Sequence, residues 1–268
     1  MNDITIVTAF FDIGRGEWTP DKGLPHYLQR TTETYFERFS HMAKLDNEMV
    51  VYTSIEYEDK VKELRAGKKT EVVVVDFKYG FDFLKKQIAQ VQQSQEYQNA
   101  IHPDQRANPE YWNPDYVLVN ALKSTFVMQA IHNGFTSNDL VAWLDFGYCR
   151  TADALNGKNK WQYSFDKDKI HLFNIREPND ITISLEDIIA TNRVYMTGPC
   201  IVAGKYAWDD LYYLTNHSMN HLLKNNWIDD DQTLLYMAYN SAPDKFELHP
   251  VSENDWFVAF KDYNESTD

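Results

Sequence analysis

A few carboxylates and one lysine are the side chains whose settings suggest chemistry. The run from Asn138 to Arg150, NDLVAWLDFGYCR, is an apolar stretch that delivers Asp145 to a stop interrupted by Gly147. Continuous apolar runs of this kind read as buried parallel strands, and open α/β sheets bind ligands in the crevice outside the carboxyl ends of such strands. Asp145 is therefore expected at a ligand cleft, the competing reading being an acid that caps the next turn. Asp229, Asp230 and Asp231 open a helical TLLYMAY pattern. One acid is enough for a cap, whereas acids crowded in a cleft raise one another's pKa, which suits a general base that must take a proton from a hydroxyl. Asp231 and Asp230 are the candidate bases, with Gln232 beside them. Lys123 sits at the edge of the apolar arc formed by Leu118, Val119, Leu122, Phe126 and Ala130, on the helix that precedes the Asp145 strand. It is either a snorkelling lysine whose stem covers core surface or an ammonium aimed at a phosphate or carboxylate in the cleft.

Weaker signals accompany these. Around Gly198, the sequence TGPCIVAG places small residues on either side of a short apolar run, which permits backbone approach to a ligand or forms an ordinary turn. His249 follows a short strand and reads as a late metal ligand or a structural histidine. Asp145-Phe146-Gly147 also spells the magnesium motif of protein kinases, but the His-Arg-Asp loop and a complete Gly-rich loop are missing from the chain. Gly14-Arg15-Gly16 is half of a dinucleotide fingerprint, with Thr19 at the third glycine position. His217 and His221 have the spacing of a two-histidine zinc site, yet Ser218 stands where a zinc protease carries glutamate. They lie opposite the apolar stripe that includes Trp208, Met219 and Leu222, so both are expected in solvent.

The elements that must position these residues alternate. Ile4 to Phe11, Glu48 to Thr53 and Glu71 to Phe77 are β-branched or aromatic runs separated by amphipathic helical stretches, a βαβαβ pattern. Helices are expected from about Phe81 to Asn99 and Pro114 to Asn133, then the strand that ends at Asp145. A mixed second half follows, with strands at Ile170 to Ile175, Val194 to Val202, Phe246 to Val251 and Trp256 to Phe260, and helices at Ala207 to Lys224 and Asp230 to Tyr239. Gln92 to Pro114 reads as a long loop without linker composition. The expectation is one α/β domain over 1–268 with a mostly parallel central sheet flanked by helices.

With 26 Lys plus Arg against 40 Asp plus Glu, the formal charge is −14, and no basic run is long enough to track a phosphate backbone. Nucleic acid is excluded as a partner, and membrane contact is peripheral at most. The amino terminus carries an acid at position 3 and a short apolar run, so it reads as neither a secretory signal nor a span. Cys149 and Cys200 are too few for a disulfide scaffold or a four-thiolate zinc site, which suits a reducing cytoplasm.

ITIVTAFFDIGRGEW, YFERFSHMAKLDNEMVVYT, NALKSTFVMQAI and WLDFGYCR together resemble the HtrL/YibB family of bacterial proteins, related to glycosyltransferases of the GT-A, Rossmann-like fold. The resemblance spans nearly the whole chain. It implies transfer of a hexose, galactofuranose or galactose, from a UDP-sugar to a glycan or lipid-linked glycan acceptor in O-antigen, capsule or lipooligosaccharide synthesis, with inversion as the preferred outcome. It also implies a cytoplasmic location, with any membrane association at the inner membrane. Residues 1–150 would form the nucleotide-sugar half and 151–268 the acceptor half. Where GT-A enzymes carry Asp-x-Asp, this chain has Asp145 and Gly147. Donor binding is thus carried onto Asp145, Gly147, Thr8, Arg15, Thr53 and Lys123, and the acceptor side onto Gly198 and Gln232. A divalent ion, manganese or magnesium, would be held by Asp145 with His249, but the second acid is missing, and Arg15 would offset diphosphate charge in its place. The competing functions are a non-catalytic nucleotide-sugar or glycan-binding protein on the same scaffold and a metal-dependent hydrolase built on Asp229 to Asp231.

Overall fold

The computed structural model describes residues 2–178 and 183–265. β1 (Asn2–Phe10) is buried from Ile4 onward, as a strand covered on both faces must be. It is followed by α1 (Thr32–Met42), β2 (Met49–Thr53), α2 (Glu58–Leu64) and β3 (Thr70–Val74). Next come α3 (Phe77–Gly80), α4 (Asp82–Gln92), α5 (Gln95–Ala100), α6 (Pro114–Ala121), α7 (Lys123–His132) and β4 (Leu140–Leu144). The remainder comprises β5 (Gln162–Tyr163), β6 (Ile170–Asn174), α8 (Leu185–Ala190), β7 (Met196–Gly204), α9 (Lys205–Lys224), α10 (Asp231–Ser241), β8 (Phe246–Pro250) and α11 (Ala259–Asp262).

One continuous sheet in the order β3-β2-β1-β4-β7-β6-β8 joins both halves of the chain, and β5 adds antiparallel to the start of β1. β3, β2, β1 and β4 are parallel; β7 runs against β4 and β6, and β8 is parallel to β6. Alternate residues of β1 feed opposite faces. Val7 and Ala9, with Phe11 just after the strand, join a core with α6, α7, α9 and α10, while Ile4, Ile6 and Phe10 join one with α1 and the carboxy-terminal Phe260. The chain is thus a single α/β domain with helices on both faces of a mixed, mostly parallel sheet. Among the described residues no helix is long and apolar enough to cross a membrane.

Two expected helices are each divided. The run from Phe81 breaks at Ser94, whose Oγ accepts from the Tyr97 amide and restarts the backbone as α5. That restart places a helix inside the segment expected as a loop. The run from Pro114 resets at Leu122, separating α6 from α7. The strand expected over Trp256 to Phe260 is absent. Phe257 and Phe260 pack edge-on against Tyr148, and the Ala259 amide donates to the Tyr148 hydroxyl, so side-chain packing replaces strand pairing and α11 begins there.

Candidate active site

β1 and β4 are neighbours in parallel register, so the segments after Phe10 and Leu144 emerge side by side. The turn after β4 is fixed at three points. The Asp145 amide donates to the Pro199 carbonyl, the Tyr148 amide donates to the Asp145 carbonyl, and the Phe146 ring stacks on Phe39 at 4.1 Å. With Phe146 pinned in the core, Asp145 and Gly147 border a cleft closed at the side by α1, α6 and the loop after β1. The cleft has a volume of about 140 Å³. That is below the roughly 300–1,000 Å³ of sites that engulf a drug-sized ligand, so there is room for one end of such a molecule and not for the whole.

The charge of this recess is opposite to that of the chain. Arg15, Arg30, Arg38 and Arg150, four of the eight arginines in the sequence, line it. Arg15 is held in place, donating through Nε and Nη2 to the Leu28 carbonyl and through Nη1 to the Tyr35 hydroxyl, with its guanidinium over Trp18 and Tyr116. Among the described residues Arg30 and Arg38 form no ion pair, and Arg150 rests over the Phe257 ring at 4.4 Å. Desolvation, then the charges of Arg30 and Arg38, push Arg150 down to about 10 even though its surface remains open to solvent. Arg38 is lowered by desolvation and by Arg30. Like charges held together in this way are relieved by an anion, and guanidinium forks match phosphate oxygens in pairs.

Behind this wall lies a buried ion triad. Lys123 Nζ is 2.8 Å from Asp145 Oδ1 and 2.7 Å from Asp231 Oδ2, and it donates to the Gly198 carbonyl at 2.9 Å. Burial works against the ammonium, but Asp145 and Asp231 outweigh it and raise its pKa. Asp145 Oδ1 also accepts from Trp143 Nε1, while Oδ2 has no partner among the described residues and the side chain is 40% exposed. Asp145 is therefore the carboxylate the cleft can reach. Gly198 is required by close approach, since a Cβ there would lie 1.7 Å from Asp231 Oδ2.

The structure brings Asp145, Gly147, Arg15 and Lys123 to the cleft and leaves the other expected residues elsewhere. Thr8 is fully buried within β1 opposite Val51, and Thr53 is fully buried with its hydroxyl donating to the Phe10 carbonyl. Neither borders the recess, because their side chains point into the sheet's packed faces. Asp230 and Asp231 are buried and do not line it; Asp230 Oδ1 caps α10 at the Gln232 amide, and Gln232 also stands back from the wall. Gly198 lies under Asp231 rather than on an open acceptor surface. Burial first, then Asp231, Asp229 and Glu110, holds the Asp230 carboxyl well above its ordinary value. Lys123 is neither snorkelling nor free for a phosphate, since its three protons are all engaged. Asp145 and His249 do not share a metal site either: β7 and β6 separate β8 from β4, and His249 groups with His171 and Glu247. His217 and His221 are exposed, as expected.

The residues at the Asp-x-Asp position do not fit a divalent ion. Asp145 Oδ1 is already held by Lys123, which it shares with Asp231, and Gly147 has no side-chain ligand atom. A Cβ at Gly147 would lie 3.3 Å from the Tyr35 ring and 3.5 Å from Arg38 Cδ, so these two side chains cover the place of the second acid. Arg30, Arg38 and Arg150 were not anticipated, since they come from a loop, a helix and a turn far apart in sequence. Arg150 alone stood within reach of a motif, five residues after Asp145.

The family model for HtrL_YibB, described as a bacterial protein of unknown function, matches residues 2–265. Protein HtrL of Escherichia coli (strain K12) is 40% identical over 265 residues, covering 98% of this chain and 93% of that protein. The chain belongs to the HtrL/YibB family. Solved structures similar to it include mouse xyloside xylosyltransferase 1 in its apo form, 9% identical at a TM-score of 0.42, covering 92% of this chain and 85% of the other. The inositol-1-phosphate CTP transferase from T. maritima is 13% identical at a TM-score of 0.44, covering 94% and 87%.

Proposed function

We propose that this HtrL/YibB chain is a glycosyltransferase whose arginine-lined recess holds the diphosphate of a nucleotide-sugar donor. The observation that carries the reading is the convergence of Arg15, Arg30, Arg38 and Arg150 on one recess of a chain with a formal charge of −14, beside an Asp145 that keeps one oxygen open. In the reaction, an acceptor hydroxyl oxygen bonds to the anomeric carbon, the bond from that carbon to the diphosphate oxygen breaks, and the diphosphate leaves with the electron pair. Arginines offset the charge that grows on the departing group. Asp145 Oδ2 takes the hydroxyl proton, and Asp231 acts through Lys123 to hold Asp145 in position. One open carboxylate supports a single displacement and hence inversion.

The finer assignment follows the family resemblance: a UDP-hexose donor, galactofuranose or galactose, and a glycan or lipid-linked glycan acceptor of surface polysaccharide, met in the cytoplasm or at the inner membrane. Residues 1–150 supply most of the donor side in this reading, and 151–268 the acceptor side. One observation favours the binding-protein reading, namely that the cleft acid is already paired with Lys123. The hydrolase built on Asp229 to Asp231 loses its basis because those acids are buried away from the recess.

A panel of nucleotide diphosphate sugars should raise the melting temperature, with nucleoside monophosphates giving much less. Free nucleoside diphosphate should appear when a glycan acceptor pool is added, and chelator should not abolish its release. Stabilisation without release under any acceptor selects the binding protein, and absence of both overturns the donor assignment.

A further inference from the structure

A second constellation lies at the β8 edge of the sheet, on β6 and its parallel neighbour β8. His171 stands across from Glu247 and Phe173 across from His249, so His171, Glu247 and His249 project from the same face. His171 Nδ1 and His249 Nε2 are 2.9 Å apart, Glu247 Oε2 is 3.8 Å from His171 Nδ1, and one ligand atom from each residue falls within 4.8 Å of the others. The two imidazoles are buried among Phe165, Phe173 and Tyr263, whereas the Glu247 side chain is 50% exposed and opens the group to solvent.

We infer that His171, His249 and Glu247 form a zinc site that fastens the edge strand β8 to β6. Two imidazoles and a carboxylate suit zinc, with a water or hydroxide as fourth ligand. Zinc–nitrogen and zinc–oxygen bonds of about 2.0–2.2 Å put tetrahedral ligand atoms roughly 3.3 Å apart, so the nitrogens must separate by a few tenths of an ångström, and the exposed Glu247 carboxylate must swing in by about half an ångström toward His171 and by up to about 1.5 Å toward His249. His171 Nε2 is 2.8 Å from the Asp166 carbonyl. Donation to that carbonyl leaves the lone pair on Nδ1 facing the group, the outer contact that metal-bound histidines use to fix tautomer and orientation. Without metal, the proton between the rings sits on His249 Nε2 and is donated to His171 Nδ1. On binding it moves to His249 Nδ1, so both neutral rings present lone pairs to the ion. Because β8 is the last strand of the sheet and Asp145 lies outside this ligand set, the ion is a structural staple and no part of the donor site.

Calorimetric titration of metal-stripped protein with Zn²⁺ should show one site, and a hundredfold excess over Kd should raise the melting temperature by about 5 °C or more. Co²⁺ should give the visible absorption of a tetrahedral nitrogen–oxygen site. Glu247→Gln, at an exposed side chain, keeps the fold and should weaken zinc by roughly tenfold or more, since even outer-shell partners are worth about 10–100-fold. His249→Gln should abolish both the cobalt spectrum and the thermal gain, and His217→Gln on α9 should change neither. Absence of zinc binding by the folded wild-type protein, or binding untouched by Glu247→Gln and His249→Gln, overturns the site and leaves a buried histidine pair.

Discussion

The arginines of the recess draw their meaning from convergence. Arg30 belongs to a loop, Arg38 to α1 and Arg150 to the turn after β4, and tertiary packing alone makes them one group. The acids at 229–231 show the reverse: their crowding was legible, but which way they face was not. A hydrogen bond to a charged partner contributes about 1.5–3 kcal/mol. Arg38→Ala and Arg150→Ala should therefore each weaken a nucleotide diphosphate sugar by roughly 10- to 100-fold while barely changing melting temperature, because neither guanidinium has an ion-pair partner among the described residues. Calorimetry on both variants, with a nucleoside monophosphate as control, checks this; equal losses for diphosphate and monophosphate would place the arginines elsewhere on the ligand.

At the scale of elements, Lys123 matters because of what it joins. It is the first residue of α7 and binds Asp145 after β4, the Gly198 carbonyl on β7 and Asp231 at the start of α10, so one ammonium connects four elements. The sequence placed it correctly, on a helix before the Asp145 strand, but its partners are 22, 75 and 108 residues away and lay beyond any periodicity. Helix interruptions were also hard to read, since Ser94 looks like an ordinary polar residue until the chain turns there. Removing one member of a buried ion group leaves the remaining charges uncompensated, at about 3–5 kcal/mol. Lys123→Met should destabilise by that amount, near 10 °C in melting temperature. Pairing it with Asp231→Asn should restore part of the loss, because one stranded carboxylate is then neutral. Additive losses in a double-mutant cycle would show that Lys123 and Asp231 do not act as a unit.

Across the whole molecule, excess negative charge combines with acids that folding keeps protonated. Burial first, then the neighbouring Asp229, pushes Glu110 up to about 8; burial pushes Asp229 up to about 7. In the unfolded chain these groups ionise near pH 4, so between about pH 4 and 8 the folded state holds protons that the unfolded state has released. Their contribution to stability is therefore full below pH 4 and lost as pH rises through 7 to 8. Glu48 works in the other direction. Its burial disfavours the carboxylate, but Lys69, Thr5 and Ser137 outweigh that and hold its pKa below the ordinary value, so its contribution disappears on acidification. Stability should consequently peak on the acid side of neutrality and fall by on the order of 2 kcal/mol or more by pH 8.5. Urea unfolding at pH 5.5 and 8.5 measures the fall, and Glu110→Gln, which keeps the acceptor used by Asn192, should flatten it. An unchanged slope in that variant would mean that Glu110 is ionised in the folded protein and that Asp229 and self-repulsion of the −14 surface drive the loss. Added salt separates these causes, because it screens the surface charge and leaves the buried acids unaffected.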